Sequence, residues 1–195
     1  MASTVPLVKI KASPPRICQG DILRDIKYYD AVIDSEKEIR ISEISFPYVM
    51  ILTQDCDLEQ ESGRLSMPSS DDKSLLSILV APMYNAQHLF AGKHLSELGW
   101  EMQVIDPKGT KGKLVQDNQI PRYHYLDIGA QGLVPLIIDF KHYFSLNVEY
   151  VKGLVASNFI GKVDALYREL ISQRFAYFLS RIGLPSTVQT SKTRA

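Results

Sequence analysis

The sequence predicts a single α+β domain, in which a small β-barrel or a strongly coiled antiparallel sheet carries a mid-chain helix and a long C-terminal helix. About seven short apolar segments, separated by Gly, Pro, Asn and Asp, indicate the strands. Apolar residues at helical spacing near the C-terminus indicate the long helix. The 195 residues, 45% of them hydrophobic, suit one domain with a real core. We expect an extended arm at 1–16, the domain at 17–185 and a disordered tail at 186–195.

The balanced charge of the chain limits the classes of partner. The 22 basic residues cancel the 22 acidic ones, so any binding of nucleic acid requires a local patch. No apolar run approaches the roughly 20 residues that span a bilayer, and the N-terminus lacks a signal-peptide pattern. We therefore expect a cytoplasmic protein with no membrane partner, whose Cys18 and Cys56 are reduced.

The first part of the chain has the pattern of several strands. A turn at Gly20-Asp21 precedes residues 22–33, whose aromatic and β-branched side chains indicate one or two strands. Residues 38–44 alternate isoleucine with polar residues, which is typical of a strand with one wet face. Residues 47–52 are almost wholly apolar and indicate a strand buried on both faces. The polar stretch 53–59 therefore lies where a buried strand ends.

The middle of the chain alternates loop, strand, helix and hairpin signals. Residues 60–73 lack apolar periodicity and indicate a long surface loop, whereas residues 75–82 indicate a second buried strand antiparallel to the first. Asn85 is a suitable cap for a helix that runs to about residue 98. Residues 100–115 indicate a hairpin with a lysine- and glycine-rich tip at 108–113.

The last part of the chain predicts three strands and the long helix. Segments 120–127, 133–140 and 143–151 have strand composition. A helix over about residues 161–182 would be capped by Ser157 or Asn158. Its inward residues would be Leu166, Leu170, Phe175, Phe178, Leu179 and Ile182. The alternative is that its wide aromatic stripe forms a dimer or partner surface.

Cys56, between Asp55 and Asp57, is the first candidate for chemistry. As a nucleophile it would need a basic partner such as His124 or His142, because neighbouring carboxylates raise the pKa of a thiol. The competing interpretation is a structural cysteine at a strand end, with the aspartates satisfying backbone amides of a turn. The catalytic candidates are Cys56, His124 and Asp57.

A metal site is a chemically reasonable alternative for the same residues. Carboxylate, imidazole and thiolate groups all ligate zinc or manganese. The candidate ligands are Asp55, Cys56, Asp57, His124 and Asp139. Their spacing matches no metal signature, so we assign no metal and leave the cofactor unknown.

The segment around residue 122 is the candidate binding surface. A fixed cation among aromatic side chains is suited to stacking bases and contacting phosphates. Such alternation is equally typical of an ordinary half-exposed strand, and nearby lysines are often only solvated. The candidate contacts are Arg122, Tyr123, Tyr125, Lys108 and Lys111.

Short motifs in the first half resemble a known toxin superfamily. Gly20-Asp21-Ile22, the apolar residues 47–53 and Ile78-Leu79-Val80-Ala81-Pro82 resemble the SH3-like barrel of the PemK/MazF toxins. The resemblance covers roughly the middle third of the chain and implies a small, often dimeric barrel that grips and cleaves single-stranded RNA. Met83-Tyr84-Asn85 stands where that family commonly places a threonine. Residues 53–58, 122–126, 136–140 and 173–185 also resemble a family of bacterial proteins, which implies no activity.

Two functions from different classes follow. The first is a PemK/MazF-like protein that binds nucleic acid or cleaves RNA in a bacterial toxin or defence context. The second is a non-catalytic module that binds another protein of a defence or toxin–antitoxin operon. The partner is accordingly either single-stranded RNA or a protein, and a homodimer fits either function.

Overall fold

A computed structural model describes residues 7–8, 16–35, 38–63, 71–128 and 133–181. The strands are β1 Leu7–Val8, β2 Asp21–Ser35, β3 Glu38–Ile51, β4 Ser77–Asn85, β5 Tyr123–Leu126, β6 Leu136–Asp139, β7 Phe144–Asn147 and β8 Phe159–Val163. The helices are α1 Asp55–Gly63, α2 Ala86–Phe90, α3 Thr110–Gln116, α4 Val148–Asn158 and α5 Ala165–Leu179. Three 3-10 turns lie at Asp71–Lys73, Ser96–Leu98 and Phe140–His142. The predicted tail, 186–195, lies outside the described residues.

One antiparallel sheet holds all eight of these strands, which confirms the predicted α+β class. Its neighbour order is β1-β8-β2-β3-β4-β6-β5, and β7 also pairs with β4. Among the described strands, β1 and β5 lie at opposite ends of this order, so the sheet is open rather than closed into a barrel. The predicted antiparallel sheet is therefore confirmed, whereas the described strands do not form the closed SH3-like barrel that was its alternative.

The strands β2 and β3 form one long hairpin where the sequence indicated several shorter strands. Their register continues from Ile22↔Met50 to Ser35↔Glu38. The ladder skips the position where Asp25, with φ of 53°, faces Pro47. Proline has no N–H to donate to a neighbouring strand, so the pairing is interrupted there and resumes beyond it.

Alternate side chains of the central strands enter two separate cores. One core includes Leu23, Val49, Val80 and Ile137, and is covered by Leu89 of α2, Val115 of α3 and Val151 of α4. The other includes Ile22, Met50, Ala81 and Ile138, and is covered by Ile171, Phe175 and Phe178 of α5. Because neighbouring residues of a strand point to opposite faces, both faces of the sheet are buried under helices.

Two predictions for the middle of the chain are wrong. The helix predicted to about residue 98 begins as expected, since Oδ1 of Asn85 accepts from the amide of Gln87, but α2 ends at Phe90. The chain then turns at Gly92, whose φ is 70°. The hairpin predicted over 100–115 is instead irregular chain followed by α3.

The boundaries of the last two helices also differ from the prediction. The strand predicted over 143–151 ends at Asn147, whose Oδ1 accepts from the amides of Glu149 and Tyr150 and so caps α4. The helix predicted from about residue 161 begins after Asp164, which caps α5, because 159–163 form β8. Its inward face is also different. Leu166, Leu170 and Leu179 are exposed, whereas Ile171, Phe175 and Phe178 are buried.

The predicted loop over 60–73 is partly helical, because α1 continues to Gly63. Residues 64–70 lie outside the described part of the chain. No helix within the described residues is long and apolar enough to cross a membrane.

The outer edge of β5 is covered by side chains. Tyr125 donates its amide to Oδ1 of Asn118 and accepts at its carbonyl from Nδ2 of the same residue. The carbonyl of Tyr123 accepts from Nη2 of Arg174 on α5. Asn118, which has φ of 57°, thus pairs with the strand as a backbone residue would.

Two helical glycines are expected to respond oppositely to alanine. A Cβ on Gly112 of α3 would lie 2.2 Å from the carbonyl oxygen of Asp106 and 2.5 Å from Cα of Pro107, whereas a Cβ on Gly153 of α4 would meet nothing within 4 Å. Gly153→Ala should stabilise the fold by about 0.5–1 kcal/mol, because glycine is a poor helix former. Gly112→Ala should destabilise it by roughly 1–3 kcal/mol through overpacking. Urea denaturation of both variants tests this, and equal stabilities would contradict it.

Candidate functional site

The polar centre of the molecule lies at a break in the strand beside β4. Asn85 to Met83 of β4 pair with β6, and Val80 to Ser77 pair with β7. Between these pairings, residues 139–143 bulge opposite only Ala81 and Pro82. Asp139 begins the bulge and caps its 3-10 turn by accepting from the amide of Lys141. The break therefore places a carboxylate inside the sheet layer.

Asp139 is fully buried and lies against the side chains of Arg122 and His142. Arg122 donates from Nε to Oδ1 at 2.8 Å and from Nη2 to Oδ2 at 2.6 Å. Nδ1 of His142 lies 3.0 Å from Oδ2, at an angle outside hydrogen-bond geometry, so this contact is one of charge when the imidazole is protonated. Burial acts to raise the pKa of Asp139, but Arg122 and His142 outweigh it and lower the pKa to about 2. Asp139 is thus ionised.

Tyr84 and His94 lie near this pair, and neither side chain has a hydrogen-bond partner within the described part of the chain. Their ring centroids are 4.9 Å apart, and the Tyr84 hydroxyl and both His94 nitrogens are buried and unpaired. The pKa of His94 is lowered to about 4, chiefly by burial; Asp139 acts to raise it, whereas His142 and Arg122 act to lower it. Burial likewise raises the pKa of Tyr84. Unpaired buried polar atoms are costly, so these groups mark the centre as a candidate site.

Three concavities meet at these residues. The groove, of about 550 Å³, is lined by Tyr48, Tyr84, His88, Lys93 and His94, with Glu43 and Glu97 among its walls. The inner pocket, of about 230 Å³, is lined by His94, Gln103, Lys111, Arg122 and Tyr123 together with apolar side chains. The aromatic cleft, of about 200 Å³, includes Tyr84, Trp100, His142 and Tyr143. His94 is shared by the first two and Tyr84 by the first and third.

Three of the five predicted binding residues lie at the inner pocket. Arg122, Tyr123 and Lys111 line it, and the Arg122 guanidinium carbon lies 4.9 Å from the centroid of the Tyr123 ring. Tyr125 lines a separate apolar groove with Val104 and Val134. Lys108 is exposed in the turn before α3.

The predicted catalytic residues are not brought together. Cys56 and Asp57 lie exposed in the first turn of α1, and Sγ of Cys56 is 3.6 Å from oxygens of Gln54 and Asp57. His124 is 1% exposed on β5, where burial lowers its pKa to about 3. β4 and β6 separate β3, which precedes α1, from β5. A Cys56–His124 pair therefore does not form.

Asp55, at the start of α1, is a structural junction. Arg16 donates to both of its oxygens at 3.2 and 3.0 Å, and the amide of Gln19 donates to Oδ1 at 3.1 Å. Nη1 of Arg168 on α5 lies 3.5 Å from Oδ2. Although burial acts to raise the pKa of Asp55, these partners lower it overall. The strand-end cluster thus joins the N-terminal segment to the C-terminal helix, and the amide that donates to Asp55 is that of the distant Gln19 rather than one of the turn at the strand end.

Asp21 completes this junction as a buried acid. Its Oδ2 accepts from the amide of Cys18 at 2.8 Å, whereas its Oδ1 is buried without a partner. Burial raises the pKa of Asp21 to about 6. Its neighbour Gly20 has φ of 82° and packs against Arg168.

Among the described residues, no group of three or more His, Cys, Asp and Glu side chains is arranged to hold a metal ion. Of the five candidate ligands, Asp139 is paired with Arg122, and Asp55 with Arg16 and Arg168. The structure therefore does not gather them into one set.

Sequence reasoning did not select Tyr84 and His94. The only sequence signal at Tyr84 is its place at the end of a buried strand, and His94 follows the glycine that interrupts the predicted helix. Comparison of the sequence with protein-family models and with curated proteins finds no match. Functional inference therefore depends on the geometry of this centre.

We expect Asp139→Asn to destabilise the protein by roughly 3–5 kcal/mol, because it leaves Arg122 without its buried partner. The matched control is Asp25→Asn, since the side chain of Asp25 is 75% exposed and pairs only with Arg24 at 3.6 Å. The control should change stability by no more than about 0.5 kcal/mol. Equal urea midpoints for the two variants would contradict the central role of Asp139.

Asp21→Asn should alter the pH dependence of stability. The carboxyl titrates near 3.8 when unfolded and near 6 when folded, so the native state binds the proton more tightly. As the pH rises from about 4 to about 7, the free energy of unfolding of the wild type should therefore fall by ~1–3 kcal/mol relative to that of the variant. Denaturation curves across this range test the expectation, and parallel curves for the two proteins would refute it.

Proposed function

We propose that the protein binds single-stranded RNA at the groove and inner pocket and cleaves it by general acid–base catalysis. The observation that carries this proposal is His94, which lines both the groove and the inner pocket and whose two buried nitrogens have no partner among the described residues. An imidazole so placed can exchange a proton with a bound ligand. The PemK/MazF-like motifs supply the expectation of RNA as the substrate class.

Charge and aromatic surface support RNA as the ligand. Arg122 and Lys111 line the inner pocket and are suited to phosphate oxygens. The groove offers the rings of Tyr48 and His88 for base stacking. Glu43 and Glu97 also line the groove, and their carboxylates would repel a phosphate there. We therefore place the base and the sugar in the groove and the phosphate in the inner pocket.

The histidines supply the proton transfers that RNA cleavage requires. A base takes the proton of the 2′-hydroxyl as that oxygen attacks phosphorus, and an acid protonates the departing 5′-oxygen, which yields a cyclic phosphate and a 5′-hydroxyl end. His94 is neutral near pH 7 because its pKa is about 4, so it can accept the first proton. A bound phosphate would raise that pKa toward the range of an effective base. His142 lines the aromatic cleft, which shares Tyr84 with the groove, and we assign it as the donor of the second proton.

A protein-interaction module is the second candidate, and one surface favours it. Leu166, Leu170 and Tyr177 recur at helical spacing on the outer side of α5 and are 73%, 45% and 63% exposed. Such a stripe on an otherwise folded domain suits contact with another protein chain. This surface is separate from the polar centre, so the two functions can be tested independently.

The RNA proposal predicts that wild-type protein shifts and cuts a pool of single-stranded RNA at low salt. His142→Asn should lower the cleavage rate at least about 100-fold while binding persists, because general acid catalysis contributes roughly that factor. Gel shift and single-turnover cleavage, with and without divalent metal, provide the measurement. If wild type neither shifts nor cuts RNA, the proposal is lost. Loss of cleavage in Cys56→Ala but not in His142→Asn would assign the chemistry to the strand end instead.

A further inference from the structure

The inner pocket has a one-sided charge. None of its nine lining residues is acidic, although two of them, Lys111 and Arg122, are cationic. The Arg122 charge is balanced by Asp139, whereas among the described residues the Nζ of Lys111 contacts only the neutral amide oxygen of Gln103. The pocket therefore carries about one uncompensated positive charge.

The donors that face this pocket are only partly used. Arg122 donates to Asp139 from Nε and Nη2, and among the described residues its Nη1 has no hydrogen-bond partner. His94 has both nitrogens unpaired. Because Asp139 fixes the guanidinium, Nη1 is held in place before any ligand arrives, and little side-chain entropy is lost on binding.

The size of the pocket suits one small group. Its volume of about 230 Å³ is below the roughly 300–1,000 Å³ of sites for whole drug-sized ligands. The groove beyond His94 is more than twice as large, at about 550 Å³. A ligand with a small anionic end and a larger body would fill both.

We propose that the inner pocket binds a phosphate monoester, as carried by a nucleoside monophosphate or by the phosphorylated end of an RNA chain, with the nucleoside in the groove. A monoester carries a charge of about −1.5 to −2 near pH 7, whereas an internal phosphodiester carries one negative charge. Lys111 supplies one positive charge, and Arg122 offers its Nη1 as a further charge-assisted donor, so that His94 stays free to act as the base of the proposed cleavage. This inference rests on the proposed function for RNA as the larger ligand, and names the part of it that the pocket recognises.

Calorimetric titration with adenosine monophosphate, adenosine and inorganic phosphate tests the pocket directly. The monophosphate should bind at least about tenfold more tightly than adenosine, because charge-assisted hydrogen bonds to the phosphate are lost in the nucleoside. Lys111→Gln should weaken monophosphate binding about tenfold and leave adenosine binding unchanged. The matched control is Lys73→Gln, which removes the same charge from an exposed residue outside the three concavities and should bind like wild type.

Three outcomes would overturn the inference. One is equal affinity for adenosine and its monophosphate, and another is a Lys111→Gln variant that binds the monophosphate as tightly as wild type does. The third is inorganic phosphate binding as tightly as the nucleotide, because the nucleoside would then contribute nothing to affinity and would not be bound in the groove.

RNA of one sequence, with a 5′-phosphate, a 3′-phosphate or hydroxyl ends, separates this inference from the proposed function. A preference of about tenfold for one phosphorylated end supports the pocket and identifies which end it takes. Equal binding and cleavage of all three would refute the monoester site and leave RNA cleavage standing. Tight monophosphate binding without cleavage of any RNA would support the monoester site and refute the proposed RNA cleavage.

Discussion

The buried carboxylate of Asp139 is the interaction on which the rest of the centre depends. An ionised group inside a sheet layer is stable only with a well-placed opposite charge, and the bidentate Arg122 supplies it. A backbone hydrogen bond accompanies this ion pair, since the amide of Phe140 donates to the carbonyl of Arg122. Together the two contacts join the start of β5 to the strand break. Pairing this charge therefore fixes the edge of the sheet, the orientation of Arg122 and the place of His142 at once.

A second ionic junction, at Asp55, joins other parts of the chain in a different way. Asp55 lies at the surface end of a buried strand and collects Arg16 and Arg168 from distant parts of the chain. Its side chain is 27% exposed, so its pairs are cheaper to form and weaker than those of Asp139. Asp55, in the acid cluster that is most conspicuous in the sequence, thus links distant segments of the fold. Asp139, which shapes the candidate site, has no acidic neighbour in the sequence.

The sequence predicts best those features that local pattern determines. The apolar runs at 47–52 and 75–82 do form central paired strands, because burial on both faces requires continuous apolar sequence. The helix α4 was missed because Val148, Val151 and Val155, which favour strands, are buried on its inner face, where packing outweighs propensity. The sequence predicts the wrong buried face for α5, because Leu166 and Leu170, which are exposed, fit the helical period as well as the buried Ile171 does. Arg122 and Lys111 could be selected by residue type, but their meeting with His94 depends on the break beside β4.

The side-chain pairing along β5 has a consequence for how this sheet meets other chains. Exposed strand edges recruit further strands and so promote edge-to-edge aggregation. Here an incoming strand would have to displace Asn118 from Tyr125 and Arg174 from Tyr123, and would leave those buried or half-buried groups unpaired. This end of the sheet is therefore protected against growth by strand addition, and one loop residue and one helix residue suffice to terminate it.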